Sequence, residues 1–470
     1  MNHKQYDVVV VGSGCAGLAA ADELSKHRMK ILLVDENTHL GGQLLRKISV
    51  RLGAGKGSQE HGSKLTGFRL MARIQEKHVR ILNQASVLGI SPDRELYVQD
   101  GNDRLYDFKS DFIILATGAR ERFIPFPGWT LPGVISTGAA QLLMKTSGIL
   151  PGHNLVIGGA GFLHFALASE VLRNGGRVMS VLDQTSPADK MKLMRMWYHQ
   201  MPRILEGASH LSRLILGRVP IRQQTRIVEA RGKSELDKVV TAKVDRRGRI
   251  VPGTEAAYQS DTLAVGYGFT PNIELPQQAG CLMEFDGDKG GWAVKVNDHL
   301  ETSVDNIYAA GETTGIAGAG KSLLEGRMAA LAVLYQLGRM KENEFQQRMT
   351  FYQHRRNREQ KFGNFLNSLC QFSYDTYEHL PDDTVVCRCE EVMLGEIRKR
   401  ISQGFFTPGA LKKATRIGMG KCQGRICGPI LYDILAAFIP DRPEEVQPLS
   451  VRMPVKLVRL ETLAEADLEG

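Results

Sequence analysis

The run YDVVVVGSGCAGLAAADELSKHRMKILLVDE, residues 6–36, constrains the fold more than any other part of the chain. Val8 to Val11 form an unbroken apolar stretch, the mark of a parallel strand covered on both faces. Gly12, Gly14 and Gly17 follow in the spacing G-x-G-x-x-G, then a helical pattern over Leu18 to Lys26 and a second apolar strand, Ile31 to Val34. Gly12 and Gly14 let the backbone turn tightly and approach a pyrophosphate, while Gly17 lets helix and strand touch, so that the helix amides face the negative charge. Asp35, 23 residues after Gly12, stands where a carboxylate accepts hydrogen bonds from an adenosine ribose, with Glu36 as the fallback.

The pattern recurs about 145 residues later, where Asn154 to Ile157 run into GGAGFLHFALASEVLRNGG and then RVMSVLD. Two nucleotide-type units are therefore expected in an α/β chain. The copy is degenerate: counted from Gly159, the third glycine position is His164, which leaves less room for helix and strand to meet. The second unit reads as structural, with His164 a packed core residue; if it binds a nucleotide, Asp183 favours NAD over NADP. Between the units lie a polar, glycine-rich surface loop (53–67), a helix around Phe68 to Lys77, a strand around Val79 to Asn83 and a buried strand over 111–120. A Pro- and Gly-rich segment (123–144) forms the crossover. A strand over 261–275 closes the second unit, and 306–315 returns the chain to the first. Residues 189–216, rich in Met and basic groups, read as a half-buried helix before a subunit interface or a membrane-surface patch.

Seven cysteines are an odd number, and four of them stand in two tight pairs. Cys387 and Cys389 are spaced C-x-C, Cys422 and Cys427 C-x4-C, with 32 residues between the pairs. Four thiolates suit a [2Fe–2S] cluster, two per iron, and would equally suit a structural zinc. Cys15, Cys281 and Cys370 are scattered, so no secreted disulfide framework is present, and no redox-active Cys-x-x-Cys accompanies the nucleotide motif. No stretch approaches the ~20 apolar residues of a membrane span. With the first strand starting at Tyr6, the chain is expected in the cytoplasm, with peripheral membrane contact as the most that its helix 189–216 would allow. The net charge of +9 over 470 residues is dispersed and not interleaved with aromatics, which argues against nucleic acid.

Three signatures now resemble those of the two-dinucleotide-domain flavoprotein disulfide reductase superfamily: the first glycine turn with Asp35, the ATG of Ala116, Thr117 and Gly118, and the AGE of Gly311 and Glu312. Gly42 and Gln43, in GGQ, resemble an element that such flavoproteins hold near the cofactor. The resemblance implies FAD, with Glu312 replacing the usual Asp. It also implies a helix after GIAGAG whose N-terminus faces the flavin edge, with Lys321 the one catalytic candidate there. With CRCEEV and GMGKCQGRICGP added, nearly the full length resembles the α-type subunits of hetero-oligomeric flavin amine and amino acid dehydrogenases. That group includes opine oxidase, proline and hydroxyproline dehydrogenase and hydrogen cyanide synthase subunits. Its C-terminal part resembles the bacterioferritin-associated-ferredoxin-like [2Fe–2S] domain, with Cys387, Cys389, Cys422 and Cys427 as ligands and Pro429 starting a helix directed at the cluster.

This resemblance implies two Rossmann-like domains and a small helical [2Fe–2S] domain. The division is 1–125 and 266–340 for FAD, 126–265 for the second unit, 341–380 as a helical linker, 381–440 for the cluster and 441–470 as a tail. It implies a β subunit similar to D-amino acid or sarcosine oxidase, a possible small γ subunit, and in some relatives FMN at a subunit interface or ATP or NAD in the α subunit. Function follows as electron transfer from an amine or amino acid oxidised on the β subunit. The alternatives are a self-sufficient NAD(P)H-dependent flavin and iron–sulfur oxidoreductase, and a zinc-bearing scaffold.

Overall fold

A computed structural model describes residues 4–45, 62–75, 79–191, 197–245, 248–371, 374–441 and 446–468. Strand β1 (Lys4–Val11) pairs in parallel with β2 (Ile31–Val34), Val8 opposite Ile31, and α1 (Cys15–Leu24) connects them. The helix starts three residues before the expected Leu18 because Gly14 already occupies the N-cap. Helix α2 (Gly62–Gln75) likewise starts before Phe68, so the last six residues of the expected loop are helical; 53–61 lie outside the described residues. Close packing explains this: a Cβ on Gly67 would lie 2.7 Å from Leu45, while Leu70 and Ile74, one turn apart, are fully buried.

Strand β3 (Val79–Leu82) joins β2 in parallel, and β4 (Ser86–Ile90), β5 (Glu95–Gln99) and β6 (Leu105–Leu115) form a meander. The sheet runs β3-β2-β1-β6-β5-β4. β6 is antiparallel to β5 and parallel to β1, so it starts earlier than the strand expected over 111–120 and stops at Leu115. Residues 119–120 belong to β7 (Ala119–Glu121), outside that sheet.

The second sheet has the order β11-β10-β9-β15-β8. The crossover segment supplies its edge strand β8 (Val134–Ser136) and α3 (Thr137–Leu142). Strand β9 (Leu155–Gly159), α4 (Leu163–Arg173) and β10 (Val178–Asp183) are the repeated unit. The expected helix over 189–216 is α5 (Pro187–Met191) and α6 (Trp197–Leu216), with 192–196 outside the described residues. α6 is half-buried: Leu214 is inside and Arg213 donates to Ser169 of α4, while Leu205 and Ile215 are exposed. After β11 (Ile221–Gln223), the strands β12 (Thr225–Arg231), β13 (Lys238–Lys243) and β14 (Ala256–Gln259) form a small antiparallel sheet.

The single strand expected over 261–275 is two. β15 (Thr262–Gly266) pairs with β9, and β16 (Phe269–Pro271) turns away to pair with β7, making a two-stranded link between the units. Then come α7 (Glu274–Gln278), the hairpin β17 (Met283–Asp286) and β18 (Gly291–Val294), and β19 (Ile307–Ala309), which joins β6 in parallel. Helix α8 (Ala319–Gln336) packs on α1, and α9 (Glu342–Ser368) on α8.

The cysteine region follows α10 (Asp375–Glu378) as β20 (Val385–Cys387), β21 (Val392–Met393), α11 (Leu394–Ser402), α12 (Pro408–Thr415) and α13 (Cys427–Phe438), with α14 (Leu460–Leu468) near the end. Its core is continuous with the second sheet: Val156, Leu182 and Leu263 share one apolar cluster with Val386, Ile397, Ile430 and Ile434. Among the described residues, no helix is long and apolar enough to cross a membrane.

Candidate cofactor sites

Close backbone approaches shape the first glycine turn. A Cβ on Gly12, whose φ is +101°, would run into the carbonyl of Ala116, and one on Gly17 into the carbonyl of Gly12. By contrast, a Cβ on Gly14 or Gly118 would meet nothing within 4 Å, so open space adjoins both the turn and the ATG segment. Gly42 lies beside the turn, its Cβ position 3.0 Å from Gly14 Cα, and Gln43 is exposed.

Asp35 is 5 % exposed and already engaged: Oδ2 accepts from Ser13 N and Oγ at 2.6 Å, Oδ1 from Asn37 N at 2.8 Å and Nδ2 at 2.7 Å. The carboxylate thus ties the glycine turn to the end of β2. Glu36 points to solvent and pairs with Lys456 at 2.6 Å. Thr117 Oγ1 donates to Asn272 O at 2.9 Å and lies 3.2 Å from Thr313 Oγ1, while Asn272 Nδ2 donates to Thr117 O at 2.8 Å. Asn272 and Thr313 were not singled out from sequence, although the TPN that ends β16 is a turn signal.

Glu312 accepts from Gly318 N at 2.7 Å and from Ser322 Oγ at 3.2 Å, so its longer side chain folds back on the start of α8. Burial pushes its carboxyl up, and Lys321 opposes the shift. The Cys15 thiol is pushed up to about 11 by burial and by Glu312. Lys321 is neither exposed nor at the open edge. It is wholly buried, and its Nζ donates to Gly311 O at 3.1 Å, Thr314 Oγ1 at 2.7 Å and Gly315 O at 2.7 Å. Glu325, one turn on and also wholly buried, lies 3.3 Å from it, accepts from Gly311 N at 2.8 Å, and receives Arg356 Nε at 2.8 Å. Burial pushes Glu325 up, but Lys321 and Arg356 outweigh it and hold it below the usual range. This trio stiffens the turn Gly311–Thr314 from behind; Glu325 was legible only as the i+4 partner of Lys321.

In the second unit the space above the glycine loop is filled by the protein. A Cβ on Gly161 would lie 2.9 Å from Cys370 Sγ, and one on Gly268 3.0 Å from Cys370 Cβ. His164 is 1 % exposed, packs on Phe165 with ring centres 4.2 Å apart and planes tilted by 44°, and has no hydrogen-bond partner on either nitrogen. Burial, with a smaller push from Lys190, lowers its pKa to about 3. Asp183 is wholly buried and paired with Lys190.

The four cluster cysteines come together. The Cys427 thiol donates toward Cys387 and Cys422, whose pKa values fall to about 6 and about 5, while its own is pushed up. Cys389 is in contact with Cys422. Amides of Gly418, Glu390 and Cys389 point at Cys387, and those of Ile426 and Gly424 at Cys422. Among the described residues, no three His, Cys, Asp or Glu side chains close on a single ion position. Four thiols in mutual contact would supply two sulfurs to each iron of a [2Fe–2S] cluster. Two helices, α11 and α12, separate the ligand loops, and α13 begins at Cys427, so Pro429 lies inside the first turn rather than at its start.

One contact joins the two sites. Arg120, two residues after Gly118, donates to the carbonyl of Arg425, between Cys422 and Cys427, at 3.4 Å. Nearby, Arg122 grips Asp433 of α13 with 2.6 Å and 2.7 Å bonds, and Tyr377 donates to the same carboxylate at 3.1 Å.

Residues 6–331 match the model of the family described as pyridine nucleotide-disulphide oxidoreductase, and residues 385–437 that of the BFD-like [2Fe-2S] binding domain. Hydrogen cyanide synthase subunit HcnB of Pseudomonas aeruginosa is 34% identical over 427 residues, spanning 89% of this chain and 90% of its own. An opine oxidase subunit of Rhizobium meliloti is 30% identical over 474 residues, 98% of this chain and 87% of its own. In fold, the chain resembles L-proline dehydrogenase from P. horikoshii, with a TM-score of 0.71 at 20% identity over 98% of this chain and 80% of that one. The chain belongs to the pyridine nucleotide-disulphide oxidoreductase family, as an FAD-dependent oxidoreductase that carries a C-terminal [2Fe-2S] domain.

Proposed function

We propose that this chain is the electron-transfer subunit of a hetero-oligomeric dehydrogenase that oxidises an amine or amino acid of the proline, hydroxyproline, opine or glycine type. The observation that carries the reading is the Arg120–Arg425 contact, which sets the flavin groove and the cysteine loops two residues and one hydrogen bond apart. When bound, FAD accepts electron pairs and the cluster passes single electrons. The residues do the rest. The bare Gly14 and Gly118 let the backbone approach the cofactor, Asp35 fixes the turn through Ser13, and the Lys321–Glu325–Arg356 trio holds Gly311 and Glu312 beside it. The start of α8 presents positive potential to the flavin edge, while Lys321, paired with Glu325, braces the turn from behind rather than by contact with the cofactor.

In this reading FAD lies on 1–125 and 266–340, 126–265 is a structural second unit, 341–380 leads to the cluster domain (381–440), and 441–470 follows. Substrate oxidation falls to a β subunit similar to D-amino acid or sarcosine oxidase, with an interfacial FMN and a small γ subunit as further components. HcnB and the opine oxidase relative are subunits by name, which supports a partner. Seven free cysteines fit the cytoplasm. The NADH-driven alternative is disfavoured because Cys370 fills the space over Gly161 and Gly268.

The test is the visible spectrum of anaerobically purified protein, with released flavin, iron and sulfide measured, before and after NADH. FAD with iron and sulfide and no bleaching by NADH is the expected result. Prompt bleaching makes the chain an NADH oxidoreductase, and zinc without iron makes it a scaffold.

A further inference from the structure

Two of the cluster cysteines face inward and two outward. Cys387 and Cys427 are each 1 % exposed, Cys427 heading α13 against the second unit, whereas Cys389 is exposed and Cys422 half-buried. The helix that Cys427 heads is the one Arg122 grips through Asp433, and Arg120 reaches the loop before it at Arg425. The outward side is rimmed by cations. Arg388 adjoins Cys389 in sequence, its guanidinium 5.4 Å from the centre of the Trp129 ring, and Lys421 follows Gly420, where a Cβ would lie 2.2 Å from Cys389 Cβ. Lys412 and Lys413 stand in the last turn of α12, with Arg416 just beyond it. Arg388, Lys413, Arg416 and Lys421 are all exposed. Residues 387–391 and 412–427 together hold six cations, Arg425 being the sixth, against two carboxylates, Glu390 and Glu391. Glu390 is engaged by Arg416 at 2.9 Å.

Holding the cluster does not require this collar. Backbone amides already serve the Cys387 and Cys422 sulfurs, and exposed ammonium groups are screened by water at contact range. What solvated like charges around one opening do is create a long-range field that gathers and orients a partner of opposite sign. Resting on the electron-transfer reading above, we propose that the rim Arg388–Lys413–Arg416–Lys421 around Cys389 is the docking face for an acidic one-electron carrier protein. The inward side receives electrons from the flavin groove and the outward side delivers them. Each docked carrier takes one electron and is reduced by one, so two dockings discharge the pair that one amine oxidation supplies.

The test uses the cofactor-loaded full chain and two probes with the same haem and opposite charge, native cytochrome c and cytochrome c with its lysines succinylated. Binding to the oxidised protein is followed by calorimetry at ionic strengths from about 10 mM to about 0.5 M, where the screening length shrinks from ~30 Å to a few ångströms. The acidic probe is expected to bind at least about tenfold more tightly at low salt, with the advantage lost at high salt. Lys413→Glu with Lys421→Glu should abolish the preference, and the milder Lys413→Gln with Lys421→Gln should halve the salt slope while retaining full iron and sulfide. Transfer from dithionite-reduced protein should follow the same order. Equal binding of both probes, preference for the native form, or a preference that survives both double variants overturns the docking face. So does lysine-dependent sedimentation with phosphatidylserine vesicles and no binding of the acidic probe, which makes the rim a membrane contact. Iron and sulfide are assayed on the same samples: their absence sinks the electron-transfer reading itself, whereas a full cluster without charge preference sinks only the docking face.

Discussion

His164 illustrates what one residue does when it replaces a glycine in a nucleotide fingerprint. Its imidazole is buried without a hydrogen-bond partner, and burial with Lys190 nearby lowers its pKa from 6.5 to about 3. The folded state therefore holds it neutral while the unfolded chain protonates below pH 6.5. Between those values the unfolded state binds more protons, so stability falls as pH falls, by about 2 kcal/mol from this group at pH 5. Above pH 6.5 the contribution vanishes. His164→Leu should leave the unfolding temperature at pH 8 within a few degrees of the parent and lower it distinctly less at pH 5. Parallel losses from pH 8 to 5 in the two proteins would show that the histidine is protonated in the folded state.

At the scale of elements, two buried charge clusters hold two different parts. Behind the Gly311–Thr314 turn, Glu325 neutralises Lys321 and Arg356. Glu325→Gln leaves the Lys321 ammonium buried without its partner, at a cost of about 3–5 kcal/mol. Released flavin after dialysis should rise, with iron content unchanged. Lys321→Met with Glu325→Leu should be less damaging than the single change, because it removes both charges. In α13, Asp433 is shared by Arg122 and Tyr377, and Asp433→Ala strands a buried guanidinium at a similar cost of about 3–5 kcal/mol. Here the iron and sulfide content should fall while flavin is retained. An equal loss of both cofactors from either variant would mean that the clusters do not act locally. Much of this level was legible beforehand: the valine strand, the glycine spacing and the four cysteines each have a period or spacing that carries its own meaning. The charge clusters were not, because Arg122 meets Asp433 across 311 positions and Arg356 meets Glu325 across 31, and no local pattern encodes such pairings. Cys370 was invisible for the same reason, a lone thiol whose role depends on a loop more than 200 residues away.

In the whole molecule, the segment expected to be a tail is instead a strap between the two cofactor sites. Val446 is buried, and Leu449 Cδ1 lies within 3.0 Å of Cβ positions on Gly418 and Gly424, directly over the second cysteine loop. Arg425, inside that loop, donates to the carbonyl of Val455. Val455 N donates in turn to Leu88 O at 2.7 Å, attaching the strap to β4 of the first sheet, and its side chain enters that sheet's core. One residue later, Lys456 pairs with Glu36 at the adenosine end of the proposed flavin groove. The strap thus touches the cluster loop, the sheet and Glu36 in succession, so a break in it should be felt at both proposed cofactor sites. Removal of residues 446–470 uncovers Gly418 and Gly424, frees Arg425 and exposes the buried Val455, whose burial alone contributes about 1.5–3 kcal/mol. The truncated protein should lose iron and flavin together on dialysis, unlike the Asp433→Ala and Glu325→Gln variants, which separate them. Lys456→Ala, sparing the apolar contacts, should weaken flavin retention by no more than about fivefold, since a surface ion pair is worth about 0–1 kcal/mol. Retention of both cofactors by the truncated chain would show that the strap is a passive wrapping, and that the Arg120–Arg425 and Arg122–Asp433 contacts hold the two sites in register without it.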